Sequence, residues 1–88
     1  MNLIEIIALL NHRKQRATYG AVASYLSINT MFLCGQLGQR RPEVSWIVNR
    51  DNWEPTGYTE NQKHPDLKKK PNVITSEQEL HEFIAASR

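Results

Sequence analysis

Apolar side chains first recur at helical spacing near the start of the chain. Leu3, Ile6, Ile7 and Leu10 fall on one side of a helix, and Ile4 and Leu9 widen the stripe. The spacing predicts a first helix over about Asn2 to His12, packed as the spine of the core. A polar run, HRKQR, leads to Thr18, a good N-cap ahead of YGAVASYL, in which Val22, Tyr25 and Leu26 share a side. A second helix is expected from about Tyr19 to Leu26. Ser27-Ile28-Asn29 breaks the pattern, and Asn29 or Thr30 can cap a third helix extending to about Gln39. Ala23 is small where two helices would cross, Ile28 can plug the turn, and Leu33 and Leu37 would face inward. That is the spacing of a helix-turn-helix over about residues 18–40.

The character changes after Pro42. SWIVN, Ser45 to Asn49, is β-branched and aromatic and reads as a strand, and RDNW supplies turn residues. EPTGYTENQKHPDLKKKP is polar and aperiodic, which predicts an irregular surface segment with a short helical turn near His64 to Leu67. NVIT reads as a second short strand able to pair with SWIVN. Ser76 with Glu79 matches a capping box ahead of LHEFIA, so a last helix is expected at about 76–87, with Leu80, Phe83 and Ile84 inward. The expected fold class is α+β, mainly α: a winged helix-turn-helix with a small two-stranded sheet and a C-terminal helix. With 88 residues the chain supports one core and not two, so a single domain over 1–88 is expected.

Composition adds little except through charge and cysteine. Apolar content of 40% and charged content of 23% describe an ordinary globular protein. The single Cys34 excludes an internal disulfide, and with His12, His64 and His81 scattered it makes no metal site, so a cytoplasmic location is expected. The longest apolar run, NLIEIIALLNH, is interrupted by Glu5 and lacks a basic start and a cleavage site, which argues for a core helix over a signal peptide or membrane span. The net charge of +2 is unevenly spread. Residues 1–42 carry five basic groups against Glu5, net +4, and residues 43–88 carry six basic and eight acidic groups, net −2. The basic excess lies around the helix-turn-helix, as a footprint on phosphates requires, although a solvated face produces the same bias.

Several side chains in that region suit DNA. Tyr19 opens the second helix, where its hydroxyl can approach a phosphate. Thr30 opens the third helix, and Gln36, Gln39 and Arg40 follow along it with side chains fit for base edges and phosphates. Arg41, Arg13 and Arg16 would add backbone contacts, as would Lys14. Met31, Phe32, Leu33 and Leu37 outnumber the candidate readers Gln36, Gln39 and Arg40 of the third helix, which predicts weak sequence selectivity. Gly35 and Gly38 would permit close approach of a backbone or another helix. Trp46 and Trp53 flank the predicted turn and fit either a core or a stacking role, and Lys68, Lys69 and Lys70 either extend the basic track or are solvated. Ser24 and Ser27 have no positioned histidine, the acids show no pairing for general acid–base work, and no glycine loop matches a phosphate-binding signature, so neither an enzyme nor a cofactor is expected.

Two segments resemble the C-terminal DNA-binding domain of the alkylguanine-DNA alkyltransferases and their non-catalytic relatives, the alkyltransferase-like proteins. ATYGAVASYL is similar to the family's TYG segment on the helix that opens its helix-turn-helix. SWIVNRDNWEPTGY is similar in layout to the family's catalytic strand, short turn and downstream TGY. The resemblance covers about residues 16–58. It implies a phosphate-side role for Tyr19 and a pocket formed near Val44, Ser45, Trp46 and Tyr58. Aligning Ser45 and Trp46 with the family's His-Arg pair puts Val44 at the nucleophilic cysteine, and valine cannot accept an alkyl group. Phe32 and Leu33 stand where the family inserts an arginine into the base stack. The expectation is therefore a non-enzymatic protein that binds double-stranded DNA with weak sequence selectivity, in a regulatory or DNA-damage-related setting. The alternative is a protein–protein interaction module, an adaptor or inhibitor, using the apolar third helix and the tryptophans against a partner or a second copy.

Overall fold

A computed structural model describes residues 1–87. Helix α1 (Leu3–Arg13) starts at a full capping box: the Asn2 side chain accepts from the Glu5 amide, and Glu5 reaches back to the Asn2 amide. Ile6 and Leu10 are buried, whereas Ile4, expected on the same stripe, points outward at 78% exposure. The helix stops at Lys14, whose left-handed φ of 55° closes the last turn.

The next three residues form β1 (Arg16–Thr18), a strand the sequence pattern does not reveal. All three are buried, so there is no polar alternation to read, as befits a strand with neighbours on both edges. Thr18 is the last residue of β1 and also the N-cap of α2 (Tyr19–Leu26), its hydroxyl accepting from the Ala21 amide at 3.1 Å. A left-handed Ser27 (φ 58°) turns the chain, and Asn29 caps α3 (Thr30–Gln36) by accepting from the Phe32 amide at 2.7 Å. Ala23 and Leu33 are buried where the two helices meet, with Ile28 and Leu37 half-buried against the core.

Helix α3 is shorter than its apolar pattern suggests. Gly38 adopts φ +72° one residue beyond the cap at Leu37, a conformation that favours glycine and ends the helix, so Gln39, Arg40 and Arg41 lie on the connection that follows. The added Cβ of Gly35 or Gly38 would meet nothing within 4 Å, so these glycines do not serve a close helix crossing.

A 3-10 turn (Pro42–Val44) leads into β2 (Ile47–Val48), and a second 3-10 turn (Glu60–Gln62) lies in the long connection before β3 (Val73–Ile74). SWIVN and NVIT do not pair with each other. Both lie parallel to β1, in strand order β2-β1-β3, with Ala17 opposite Ile47 on one edge and Ile74 on the other. The expected two-stranded element is thus a three-stranded parallel sheet, and no hairpin joins its outer strands. The buried Arg16-Ala17-Thr18 segment offers both strands a ladder in the interior, where their apolar side chains can be covered. Helix α4 (Glu77–Ala86) starts at Ser76, which accepts from the Glu79 amide, while the Glu79 carboxylate reaches past Ser76 to the amide and hydroxyl of Thr75.

The centre of the molecule is α2 and not α1. Helix α2 contacts α3, α4, β1 and β2, because Gly20, Ala21 and Ala23 keep its surface low enough for neighbours to close in around Val22. The fold is α+β and mainly helical. No helix among the described residues is long and apolar enough to cross a membrane.

Candidate nucleic-acid interface

The start of α2, the end of α3 and the loop after β2 meet at an open cavity of about 280 Å³. Tyr19 lines it from α2; Cys34, Leu37, Gly38 and Arg40 line it from α3 and the following turn; Thr56 and Tyr58 close it from the loop. Two local features hold the loop in place. The Tyr19 hydroxyl accepts from the Thr56 amide at 3.1 Å, and Gly57 adopts φ +77° with the Arg40 guanidinium lying against it. A Cβ at Gly57 would come within 2.9 Å of Arg40 Nη2, so glycine serves both the backbone turn and the seat of the arginine.

The cavity lining contains no carboxylate. Burial first, and then the neighbouring Tyr19, push the Tyr58 phenol above its ordinary value, opposed by the backbone of Arg41 and the charges of Arg40 and Arg41. Tyr58 therefore stays a neutral hydroxyl at neutral pH, able to donate or accept. Arg40 and Arg41 are exposed beside it; Arg41 makes only a long 3.8 Å contact with Glu43. From Ile6 to Pro42 the chain carries no acidic side chain at all. The arrangement can receive an anionic or hydrogen-bonding planar group between the tyrosines and the guanidinium.

The residues expected from sequence to form a site divide sharply. Tyr19, Arg40 and Tyr58 come together at the cavity. Thr30, Gln36 and Gln39 are exposed on or just after α3, and Arg13 is exposed at the end of α1. Arg16 is not available to phosphates: only 8% exposed, it donates from Nη1 to the Trp53 carbonyl (3.0 Å) and from Nη2 to the Lys70 carbonyl (2.8 Å). Val44, Ser45 and Trp46 are interior and do not line the cavity. The Ser45 hydroxyl is used twice, donating to the Pro42 carbonyl and accepting from the His64 amide. Trp46 Nε1 donates to Asn11 Oδ1 at 2.8 Å. Met31 and Phe32 remain outside, at 84% and 55% exposure, so Phe32 is not the core residue its neighbour Leu33 is.

Cys34, Leu37, Gly38 and Thr56 were missed as lining residues. The three-residue step from Cys34 to Leu37 was the available signal, but nothing local says which side of α3 meets the loop. Among the described residues no cluster of three His, Cys, Asp or Glu side chains is placed to hold a metal ion.

Ion pairs tie the connections elsewhere in the fold. Lys63 Nζ contacts Glu54 (2.8 Å) and Glu60 (2.9 Å), and Asp66 sits between Lys14 and Lys69, each at 2.8 Å. Hydrogen bonds from the two lysines hold the Asp66 carboxyl down from 3.8 to about 2. Because the folded value is depressed, this contribution to stability is complete above about 3.8 and is lost as pH falls through about 2. Urea midpoints recorded from pH 5 to pH 2 should therefore fall less steeply for Asp66→Asn than for the wild type, and equal slopes would contradict the pairing.

Compared with known proteins, the chain matches no family model, no curated protein and no solved structure.

Proposed function

We propose that the protein binds duplex DNA without catalysing a reaction, with α2 and α3 acting as a helix-turn-helix and the Asn49–Tyr58 loop flanking it in the manner of a wing. The observation that carries this reading is the acid-free stretch from Ile6 to Pro42, near whose end Arg40 lines the cavity with Arg41 next to it in sequence. A cavity lining without carboxylates, with the Arg40 guanidinium and neutral hydroxyls, suits a phosphate backbone. The likeness of ATYGAVASYL and the TGY loop to the alkyltransferase-like proteins supports the same partner, and the interior position of Val44 supports the absence of a nucleophile. With few polar side chains on α3, most affinity should come from counterion release and little from base readout.

Fluorescence anisotropy with a mixed-sequence duplex tests the reading. Binding should weaken steeply from about 50 to 200 mM salt, and Arg40→Gln should weaken it about three- to tenfold while reducing the salt slope by about one. Failure of the wild type to bind at the lower salt concentration removes the proposal. A duplex carrying an alkylated guanine separates lesion sensing from general binding, since equal affinities for the two duplexes leave no lesion preference.

A protein-interaction module is the second reading, favoured by Met31 and Phe32 standing exposed together on the first turn of α3. Self-association in sedimentation, lost in Phe32→Ser, would support it over DNA binding.

A further inference from the structure

By sequence, Lys68, Lys69 and Lys70 belong to a half of the chain with net charge −2 and either extend the basic track or are solvated. The fold regroups them with cations from the other half. Lys70 Nζ donates to the backbone carbonyl of Arg13 at the end of α1 (2.6 Å), and the Lys70 carbonyl in turn accepts from the buried Arg16. Gln15 Nε2 holds the Asn72 carbonyl at 2.8 Å. The lysine segment is thus pinned against the end of α1, which brings Arg13, Lys14, Lys68, Lys69 and Lys70 onto one surface.

The charges there are layered. Asp66 lies between Lys14 and Lys69, and Glu54 lies 3.4 Å from Lys68 while also serving Lys63. The two carboxylate side chains are only 17% and 22% exposed, whereas Lys14, Lys68 and Lys69 are 53%, 70% and 74% exposed. Asp66 and Glu54 form an inner layer beneath the more exposed ammonium groups, and the exposed Glu60 carboxylate is held at one edge by Lys63. Arg13 has no carboxylate partner among the described residues. Each carboxylate can offset one charge, so the surface keeps an excess positive charge. At its edge an open cavity of about 180 Å³ is lined by Glu60, Lys63, His64, Leu67 and Lys68.

We propose that this surface is a second phosphate-contacting patch, which holds the backbone of the same duplex that α2 and α3 engage. The inference rests on the DNA-binding reading above and adds to it a contact region outside the helix-turn-helix. The Cα positions extend 31 Å along the longest axis, less than one turn of duplex at about 34 Å, so both contact regions fit within one turn. Exposed cations on an outer surface suit a run of phosphates, where each neutralised phosphate adds about 0.9 to the salt slope.

The test compares the wild type with Arg13→Gln/Lys68→Gln/Lys69→Gln, which leaves Lys14 and Lys70 to hold the segment, by anisotropy on one duplex across a salt series. The variant should keep the wild-type far-UV spectrum and stay folded at the assay temperature, bind at least tenfold more weakly at about 0.1 M salt, and lose about two to three from the salt slope. The charge-preserving Arg13→Lys/Lys68→Arg/Lys69→Arg should retain the wild-type slope. If the wild type binds duplex and the glutamine variant keeps its slope, this inference fails while the DNA reading stands. If the wild type binds no duplex, both fail. Should the glutamine variant lose binding to polyglutamate yet keep the wild-type duplex slope, the patch belongs to an acidic protein and the inference is overturned.

Discussion

Replacing Trp46 by alanine is expected to cost about 3–5 kcal/mol of folding stability, the range for emptying a large aromatic site in a closed core. Trp46 is 1% exposed, its ring centroid lies 4.8 Å from that of His64, and its indole nitrogen donates to Asn11 Oδ1 on α1. Truncation would leave a void at the junction of α1, β2 and the His64 segment, and would orphan the Asn11 carbonyl. A small domain has only about 5–15 kcal/mol to lose, so the variant should be partly unfolded at moderate temperature. Trp46→Phe should cost less, about 1–3 kcal/mol, because the ring volume is largely kept and the hydrogen bond is lost. Urea unfolding followed by far-UV circular dichroism reads both. If Trp46 were instead a surface residue stacking on bases, Trp46→Ala would weaken duplex binding and leave the unfolding midpoint in place.

Arg16→Met should cost about 2–4 kcal/mol, since it leaves two loop carbonyls without their charged donor. The guanidinium is buried against the Trp53 and Lys70 carbonyls, and this burial lowers its pKa, an effect that the nearby Glu54 opposes. Its Nε has no partner, so the residue is retained for what the two Nη groups hold. Methionine keeps most of the stem's packing, which isolates the lost hydrogen bonds from a cavity effect. Lysine should rescue poorly, because one ammonium group lacks the fork that reaches both carbonyls. Limited proteolysis should show earlier cleavage on both sides of the bridge, near Trp53 and near Lys70. A phosphate-contacting Arg16 would behave in the opposite way, changing the salt slope of DNA binding with the stability unchanged.

These two residues mark the boundary of what could be read from the chain. Thr18, Asn29 and Ser76 cap their helices as expected, because a cap is a contact between residues three apart and depends on nothing distant. Helix α2 has its expected ends for the same reason. Arg16 and Trp46 were open to a DNA role because an arginine in a basic run and a tryptophan beside a turn look the same whether buried or exposed. Their environments come from Trp53, Lys70, Asn11 and His64, none of them near in sequence. The parallel sheet was hidden in a similar way. Strands of two or three buried residues show no alternation, and an antiparallel hairpin is the simpler inference from two short apolar runs. Of the cavity, Tyr19, Arg40 and Tyr58 were anticipated, while Cys34 and Gly38 depended on where α3 ends, which the left-handed Gly38 decides.

The central position of β1 also bears on how the chain folds during synthesis. The three α-helices ahead of Pro42 have local caps and turns, but at eleven, eight and seven residues they can only fluctuate when they leave the ribosome. The strand that launches α2 cannot gain its first edge until Ile47 has emerged, or its second until Ile74 has. Loop closure over such distances is slow compared with helix growth. Until Ile74 has emerged, the nascent chain should therefore hold a loose helical array without its full sheet, and pairing of β3 with β1 is what converts that array into a packed core.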